Sequence, residues 1–447
     1  MRAVVANLLL TAHQARKALR WAVLLVPMAV LVGTVCAAFL AALDSVTRAR
    51  FAQPWLLYAL PLAGALVAAV YQWLGKSAEA GNNLILDEIH QPGGGVPLRM
   101  APLIFAGTVI THLCGGSAGR EGTAVQLGGS LASATARLAR LRGEALSVML
   151  MAGIAAGFGA VFGTPLAGAV FALEVLAVGR LRYAGLIPCL VAALVADWAC
   201  RAWGIQHTAY RIANGASLAP GAAPVDLWLV AKAALAGGAF GLTSLAFAEA
   251  NHTLGAWLRQ RLPNPALRAL VGGLVIIALT LALGTRAYLG LGVWSPDPAM
   301  PTIARLIAGP PDQVSWAIKL VFTVITLSCG FKGGEVTPLF FIGAGLGNAL
   351  AAVLGAPQDL FAALGFVAVF AGAANTPLAC AIMGIELFGA GHMVPIAVAC
   401  FVAYACSGHN GIYLSQRLAV AKRASGNAPQ PAPLTLREAR AARRSSR

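Results

Sequence analysis

The amino-acid sequence predicts an all-α polytopic membrane protein. Of its 447 residues, 59% are hydrophobic and 11% are charged, whereas a soluble domain carries about 25% charged residues. The mean hydropathy is +0.76, and apolar runs recur along the whole chain. These observations exclude a soluble enzyme and a soluble domain with a single anchor. Because lipid offers the backbone no hydrogen bonds, we expect the runs to be helical.

The apolar runs differ in length and continuity. Several are too short to cross a bilayer alone, and several are interrupted by Gly or Pro, of which the chain has 50 and 24. Non-helical backbone at membrane depth is tolerated only where protein or a water-filled cavity surrounds it. We therefore expect discontinuous and re-entrant helices that meet at an internal site. The runs lie at about Trp21–Leu43, Trp55–Leu74, Met100–Leu113, Val148–Val178, Leu186–Trp203, Leu227–Phe247, Ala266–Leu283, Ser315–Leu327, Leu339–Leu354, Leu360–Phe388 and Val394–Cys406.

The formal net charge of +16 is distributed unevenly. Basic residues crowd both ends and the short loops, which indicates cytoplasmic termini and an even number of crossings rather than a nucleic-acid partner. The Pro- and Arg-rich tail is expected to be disordered or to lie on the bilayer surface. We divide the chain into an amphipathic N-terminal segment (1–20), a first membrane repeat (21–205), an inter-repeat loop (206–225), a second membrane repeat (226–414) and a basic cytoplasmic tail (415–447).

An internal repeat defines the two halves. The sequence TPLAGAVFALE at 164–174 returns as TPLACAIMGIE at 376–386, an offset of 212 residues. The same offset carries Arg120–Gly122 onto Lys332–Gly334, so two Gly-rich motifs fall in register. Such repeats place a binding site near the bilayer midplane, between the halves. The pattern leaves open whether the halves are parallel or inverted.

The first Gly-rich motif, Gly115–Thr123, precedes a run of small residues. Glycine-rich backbone that opens a helix presents free N–H groups and the positive end of the helix dipole, which together bind anions. Gly119, Arg120 and Gly122 are therefore candidate anion-binding residues. Glu121 can occupy the anion's place as a carboxylate and leave it when protonated. The alternative is that Glu121 merely pairs with Arg120 at an interface.

The second Gly-rich motif, Cys329–Pro338, also leads into a helix. The N–H groups of Val336 and Thr337 are expected to face the same centre as the first motif. Glu335 is a candidate second proton carrier. It is equally compatible with neutralisation by Lys332 at the rim of the site.

Polar residues outside these motifs allow further interpretations. Asn82 and Asn83 follow a glycine, where asparagine caps a helix or points its amide donors at an anion. Glu174 and Glu386 occupy equivalent points of the two halves, so we expect a shared structural duty such as hydrogen-bonding loop backbone. Tyr413 follows the last apolar run, a position typical of an interfacial anchor.

At these motifs the sequence resembles the CLC family of chloride channels and proton-coupled anion transporters, from about residue 21 to residue 413. Gly119–Gly122 is similar to the family signature that carries the gating glutamate, and the PLAG…E elements follow in matching order. The resemblance implies an inverted-repeat homodimer with one pore per subunit. It also implies that the Tyr413 hydroxyl contacts the central anion, contrary to an anchoring role.

The departures from the family pattern indicate a branch. Asn82 stands where chloride-handling members carry a serine that binds the anion, and Thr123 stands where their gating motif continues with proline. Their Gly-x-Phe-x-Pro reads Gly334–Pro338 here, and Val175 replaces the second glutamate of the proton-coupled exchangers. These changes resemble the fluoride-exporting bacterial branch, in which Met or Asn replaces the serine.

The sequence and the resemblance together favour a fluoride transporter of the bacterial inner membrane that exports F⁻ in exchange for H⁺. Fluoride is strongly hydrated and a strong hydrogen-bond acceptor, so a selective site needs close donors. Its expected partners are fluoride, protons, membrane lipid and a second copy of the chain. The alternatives are a passive fluoride or chloride channel and a chloride/proton exchanger.

An intramembrane enzyme is the alternative from another class. The chain has no HExxH and no CxxC, and the spacing within Asp87–His90 does not match a metal site. No catalytic cluster is therefore indicated, and no metal or cofactor is expected.

Overall fold

The computed structural model describes residues 2–212, 226–422 and 434–445, with the backbone alone for 2–18, 444 and 445. Within these ranges the chain is helical apart from loops and one short parallel strand pair. The first-half elements are α1 (Arg2–Ala52), α2 (Leu60–Val70), α3 (Asn82–His90), α4 (Met100–Leu113), α5 (Glu121–Leu138), α6 (Glu144–Phe162), α7 (Pro165–Glu174), β1 (Ala177–Val178) and α8 (Leu186–Ala202). The second-half elements are α9 (Leu227–Arg261), α10 (Pro265–Leu283), α11 (Ile303–Ala308), α12 (Ser315–Ser328), α13 (Val336–Leu354), α14 (Gln358–Ala374), α15 (Pro377–Phe388), α16 (Met393–Cys406), β2 (Arg417–Leu418) and α17 (Leu436–Ser445).

The helices differ in their capacity to cross a bilayer. Among the described residues, seven helical stretches are long and apolar enough to span it, and six apolar helices of 10–17 residues are shorter. The 10-residue α7 is about 15 Å long at 1.5 Å per residue, half the thickness of a hydrocarbon core. The prediction of discontinuous helices is confirmed.

Glycine brings neighbouring helices into backbone contact in both halves. A Cβ on Gly128 of α5 would collide with the carbonyl oxygen of Gly153 in α6. In the second half, a Cβ on Gly343 of α13 would collide with the carbonyl oxygen of Gly365 in α14. Close packing through small residues is how helices associate where lipid removes the hydrophobic driving force. The high glycine content therefore has a packing role in addition to any role at the site.

The repeated helices α7 and α15 cap each other. The carboxylate of Glu386, near the end of α15, accepts hydrogen bonds of 3.0 and 2.7 Å from the first N–H groups of α7. Glu174, at the end of α7, accepts bonds of 3.1 and 2.8 Å from the first N–H groups of α15. Each helix therefore begins where the other ends, so the equivalent helices run antiparallel and the repeat is inverted. The structural duty predicted for the two glutamates is confirmed. The donors are Leu166 and Ala167 for Glu386, and Leu378 and Ala379 for Glu174.

The ends of the helices define two opposite faces of the protein. Helices α6 and α8 end on one face, where the ring of His207 packs on Gly163; we call it the His207 side. Helix α7 leads away from that face to β1. There the N–H of Arg417 donates to the carbonyl of Leu176 at 3.1 Å, close to the loop that carries Tyr413. We call this face the Tyr413 side.

Both ends of the chain approach the Tyr413 side. Helix α1 lies beside α8 in the same direction, with Trp21 near Pro188 at the start of α8. Farther along α1, Thr34 accepts a hydrogen bond of 3.1 Å from the indole of Trp203, which directly follows α8. At the other terminus, Leu436 of α17 donates its N–H to Gln416 beside β2, at 2.9 Å.

The two terminal segments differ from expectation. Helix α1 runs without a break through residues 20 and 21, so the N-terminal segment is part of the first membrane helix. The tail was expected to be disordered or on the bilayer, but α17 packs on the protein, where Arg440 forms a bidentate ion pair with Glu249 at 2.6 Å. Residues 213–225 of the predicted inter-repeat loop and 423–433 of the tail lie outside the described residues. The region boundaries therefore remain predictions.

Candidate anion and proton site

The two Gly-rich motifs lie side by side at the centre of the protein. Gly119 and Gly334 exchange two backbone hydrogen bonds, of 2.6 and 2.8 Å, in an antiparallel bridge. A Cβ on Gly119 would lie 2.9 Å from the Gly334 carbonyl oxygen, so only glycine permits this approach. The expected convergence of the motifs is confirmed. The sequence makes Gly119 a candidate anion-binding residue, but its N–H already donates to the Gly334 carbonyl in this bridge.

The carboxylate of Glu121 lies at the N-terminus of α13. Its Oε2 accepts the backbone N–H of Thr337 at 2.9 Å and the Thr337 hydroxyl at 2.5 Å. Its Oε1 accepts from Nε of Arg120 at 3.3 Å, and Glu121 is 1% exposed. A helix N-terminus attracts negative charge through its free N–H groups and its dipole. The side chain thus pairs with Arg120 and at the same time lies at a helix N-terminus, so neither arrangement considered from sequence excludes the other.

Glu335 lies against the other helix opening. Its Oε2 is 3.9 Å from the position that a Cβ on Gly122 would take, at the first turn of α5. The neighbouring Lys332 points elsewhere, with its ammonium 3.9 Å from the centre of the Tyr71 ring. None of the ion pairs among the described residues joins Lys332 to Glu335. Neutralisation of Glu335 by Lys332 is therefore not what the structure shows.

A small cavity adjoins the centre on the Tyr413 side. Asn82, Tyr413 and Val175 line it. The volume in which the centre of a water molecule can lie is about 10 Å³. That volume suits roughly one water-sized species. The buried Oδ1 of Asn82 has no hydrogen-bond partner among the described residues, and its Nδ2 is 3.1 Å from the Cβ position of Gly122. The Asn82 amide therefore has hydrogen-bonding capacity to spare at the start of α3.

Asn83 is placed differently from its neighbour. Its Oδ1 accepts the N–H of Ser415 at 2.9 Å, and it does not line the cavity that contains Asn82. The structure therefore assigns the Asn83 oxygen to the Tyr413 loop, and anion binding by its amide donors stays a prediction. Successive residues of a helix point in different directions, which accounts for the different surroundings of the two amides.

The loop that carries Tyr413 is held from several directions. Gln416 donates to the carbonyls of Val175 and Ala374 at 3.0 Å each and accepts from Asn375 at 2.9 Å. Tyr413 is 4% exposed. The interpretation as an interfacial anchor is therefore wrong, and the internal location implied by the family resemblance is correct.

A second cavity adjoins Glu121 on the His207 side. The volume in which the centre of a water molecule can lie is about 20 Å³ here. The lining includes Arg120, Glu121 and Thr337. His207 and Tyr210, which follow α8, also line it. Sequence reasoning missed both residues because they fall in a polar stretch interpreted as an exposed loop, and no motif marks them. Glu121 therefore lies between two small cavities that approach it from opposite sides.

Aromatic rings surround both cavities. Phe171 meets the Tyr413 ring edge-on at 6.4 Å between centroids. On the other side, Phe340 stacks on Phe366 at 4.1 Å, and Phe366 contacts Tyr210 at 5.6 Å. Rings of this size exclude water, and a low local dielectric strengthens every charge interaction at the centre.

No cluster of three or more His, Cys, Asp or Glu side chains suited to a metal occurs among the described residues. What the described residues do place together is two carboxylates, of Glu121 and Glu335, beside the N-termini of α13 and α5.

Residues 63–408 match the sequence profile of the voltage gated chloride channel family. This chain belongs to the CLC family. A protein of Pseudomonas syringae pv. tomato named "chloride/fluoride channel protein" is 50% identical over 409 residues, which cover 90% of this chain and 87% of the relative. A "putative chloride channel protein ClcB-like" of Ralstonia nicotianae is 27% identical over 80% of this chain and 84% of its own length.

Solved CLC structures have the same architecture. A "CLC-type fluoride/proton antiporter" is 34% identical and superposes with a TM-score of 0.82, covering 90% of this chain and 98% of that chain. A "slow cyanobacterial Cl-/H+ antiporter" is 19% identical with a TM-score of 0.70, covering 87% and 94%, and shows the fold alone. The CLC family comprises ion channels and transporters rather than enzymes, and this CLC protein is a multi-pass membrane protein.

Proposed function

We propose that the chain is a proton-coupled fluoride transporter that exports F⁻ in exchange for H⁺ across the bacterial inner membrane. One observation carries the proposal: the Glu121 carboxylate accepts both the N–H and the hydroxyl of Thr337 at the opening of α13. An acidic side chain held there acts as a stand-in for an anion. The printed names of the 50% identical relative and of the antiporter structure point to the same ion.

The exchange follows from the two charge states of Glu121. As a carboxylate it fills the site and keeps out a second anion, since two negative charges compete for the same donors. Protonation removes that charge and weakens the bonds from Thr337, so the side chain leaves and fluoride takes its place. Proton binding thereby opens the anion route, which couples the two movements.

Fluoride selectivity is assigned to short-range donors. The cavity beside Asn82 and Tyr413 suits about one water-sized species, so an anion must shed its hydration shell to enter. Fluoride loses more hydration than chloride and needs strong donors in return. The Asn82 amide, the Tyr413 hydroxyl and the N–H groups at the openings of α5 and α13 are the proposed donors.

Proton passage toward the Tyr413 side needs a carrier other than Val175, which lines the cavity without a titratable group. The position of Glu335 near Gly122 supports a role as that carrier. Alternatively, Glu121 itself reaches farther toward the Tyr413 side when protonated.

The proposed orientation puts the Tyr413 side in the cytoplasm. The described part of that face carries Arg180, Arg182, Arg417 and α17 with its arginines, and cytoplasmic faces are enriched in basic residues. We also propose the homodimer with one pore per subunit that is typical of the fold.

Flux from proteoliposomes tests the function. Vesicles loaded with fluoride are given only a proton gradient, and fluoride is followed with an electrode while a dye reports proton movement. Uphill fluoride movement with simultaneous proton counter-movement is expected. Fluoride that moves only down its own gradient would contradict exchange.

The printed name of the Pseudomonas syringae relative favours a second candidate, a passive chloride or fluoride channel. The same vesicles separate the two candidates, because a channel moves fluoride without protons. A chloride/proton exchanger has less support because Asn82 and Val175 replace the chloride-type residues. Comparing F⁻ and Cl⁻ efflux from loaded vesicles tests this third candidate.

A further inference from the structure

A proton that reaches Glu121 from the His207 side must pass the residues that line the cavity there, because Glu121 is 1% exposed. The described side chains that line this cavity are mostly aromatic and aliphatic. Apart from Glu121, only His207 among them is of a type that gains and loses a proton between pH 5 and 8. The cavity volume of about 20 Å³ suits roughly one bridging water.

A carboxylate stands beside the imidazole. Nε2 of His207 is 3.5 Å from Oδ1 of Asp197, and the two side chains are 10% and 13% exposed. Nε2 is buried, and among the described residues it meets no hydrogen-bond criterion with any partner, so this ion-pair contact with Asp197 is what holds the ring.

The other charged groups around His207 are accounted for on each packed element. On α8, Nε of Arg201 donates to both oxygens of Asp197 at 3.0 and 2.9 Å. At the start of α5, Arg120 lines the cavity and bonds to Glu121. On α15, Glu386 is committed to the first N–H groups of α7, and on the His207 segment itself Tyr210 lines the cavity. The ring rests on Gly163 at the end of α6, where any Cβ would clash with it.

We propose that His207 transfers protons between the solution on the His207 side and Glu121, a role that rests on the proposed proton-coupled function. The N–H bond of the imidazolium breaks, and its proton passes through a bridging water to a carboxylate oxygen of Glu121, which forms an O–H bond. The neutral imidazole then takes up a proton from the solution. Asp197, held by Arg201, positions the ring.

His207→Gln tests the proposal in fluoride-loaded proteoliposomes driven by acid outside. We expect proton-coupled fluoride movement to slow by about tenfold, a modest share of what a positioned proton-transfer group contributes. Wild-type transport is expected to rise as the outer pH falls through neutrality, and the variant is expected to lose this rise. Imidazole added to the outer solution should restore transport in part, which a merely structural histidine would not allow.

A second variant and a control keep the outcomes separable. Asp197→Asn retains the imidazole but removes the carboxylate that positions it, so proton-coupled fluoride movement should slow, by less than in His207→Gln. His392→Gln, just before α16 and not among the residues that line the cavity, should transport like the wild type. Normal coupling in His207→Gln would overturn the proposal. So would slowed transport with an unchanged pH profile and no response to imidazole. A wild type that does not couple protons to fluoride instead refutes the proposed function, and the relay with it.

Discussion

At the residue scale, the decisive contact joins Glu121 to Thr337, which are 216 positions apart in the chain. The carboxylate receives two donors from the opening of α13 while its own backbone opens α5. Hydrogen bonds to a charged group are worth roughly 1.5–3 kcal/mol each. Protonating Glu121 weakens both bonds together, which makes this side chain the natural point at which proton binding changes anion access.

Glu121→Gln removes the titratable group and keeps the shape. We expect proton-driven fluoride transport to fall by about 100-fold or more, in line with the loss of an acid–base group, because the amide can neither take up a proton nor mimic an anion. The measurement is fluoride flux with a pH dye in proteoliposomes. Glu144→Gln, at the exposed start of α6, is the matched control and should behave like the wild type. Normal proton exchange in Glu121→Gln would remove this residue from the role.

Asn82→Ser shortens the amide that lines the cavity with Tyr413. We expect the fluoride-to-chloride permeability ratio to fall by about tenfold, which corresponds to roughly 1.4 kcal/mol of differential binding, because the cavity gains room and loses a donor. The ratio is measured as F⁻ against Cl⁻ efflux from loaded vesicles. Asn83→Ser, whose native oxygen binds Ser415 instead, should change the ratio much less. Equal ratios in all three proteins would count against selectivity by the Asn82 amide.

At the element scale, paired helices approach through glycine, so small additions have large effects. Gly365→Ala places a Cβ against the carbonyl of Gly343, and overpacking of this kind costs about 1–3 kcal/mol. The midpoint of thermal inactivation in detergent should therefore fall. Gly238→Ala in α9 meets nothing within 4 Å and should hold or raise the midpoint, since Ala favours a helix by about 1 kcal/mol. Equal midpoints in the two variants would contradict backbone contact between α13 and α14.

At the scale of the whole molecule, the C-terminal segment returns to brace the loop that carries Tyr413. Leu436 donates its N–H to Gln416 at 2.9 Å, and Arg437 donates its own to Leu414 at 3.0 Å. Helix α17 is in turn fastened to α9 by the pair of Arg440 and Glu249. A part of the chain expected to lie outside the fold thus supports the proposed anion site.

Deleting residues after Lys422 removes this brace. We expect slower fluoride transport and a lower thermal midpoint, because the Tyr413 loop loses the hydrogen bonds from α17. Flux assays and thermal inactivation in detergent measure the two effects. Arg440→Gln keeps the segment but breaks its bidentate pair, so its effects should have the same direction and be smaller. A truncated protein with wild-type flux and midpoint would show that the brace is dispensable.

The sequence alone determined the membrane class, the two halves and the Gly-rich motifs around Glu121, because hydropathy, repetition and glycine spacing are local patterns. Direct inspection of residues left the direction of the repeats open. The family resemblance implied that they are inverted, and the tertiary structure showed it, because α7 and α15 cap each other. Tertiary packing also diverted Asn83 to Ser415, turned Lys332 onto Tyr71 and brought His207 to the cavity beside Glu121. Each of these contacts depends on which distant segments share the same space, and side chains without a repeated pattern carry no local signal of their partners.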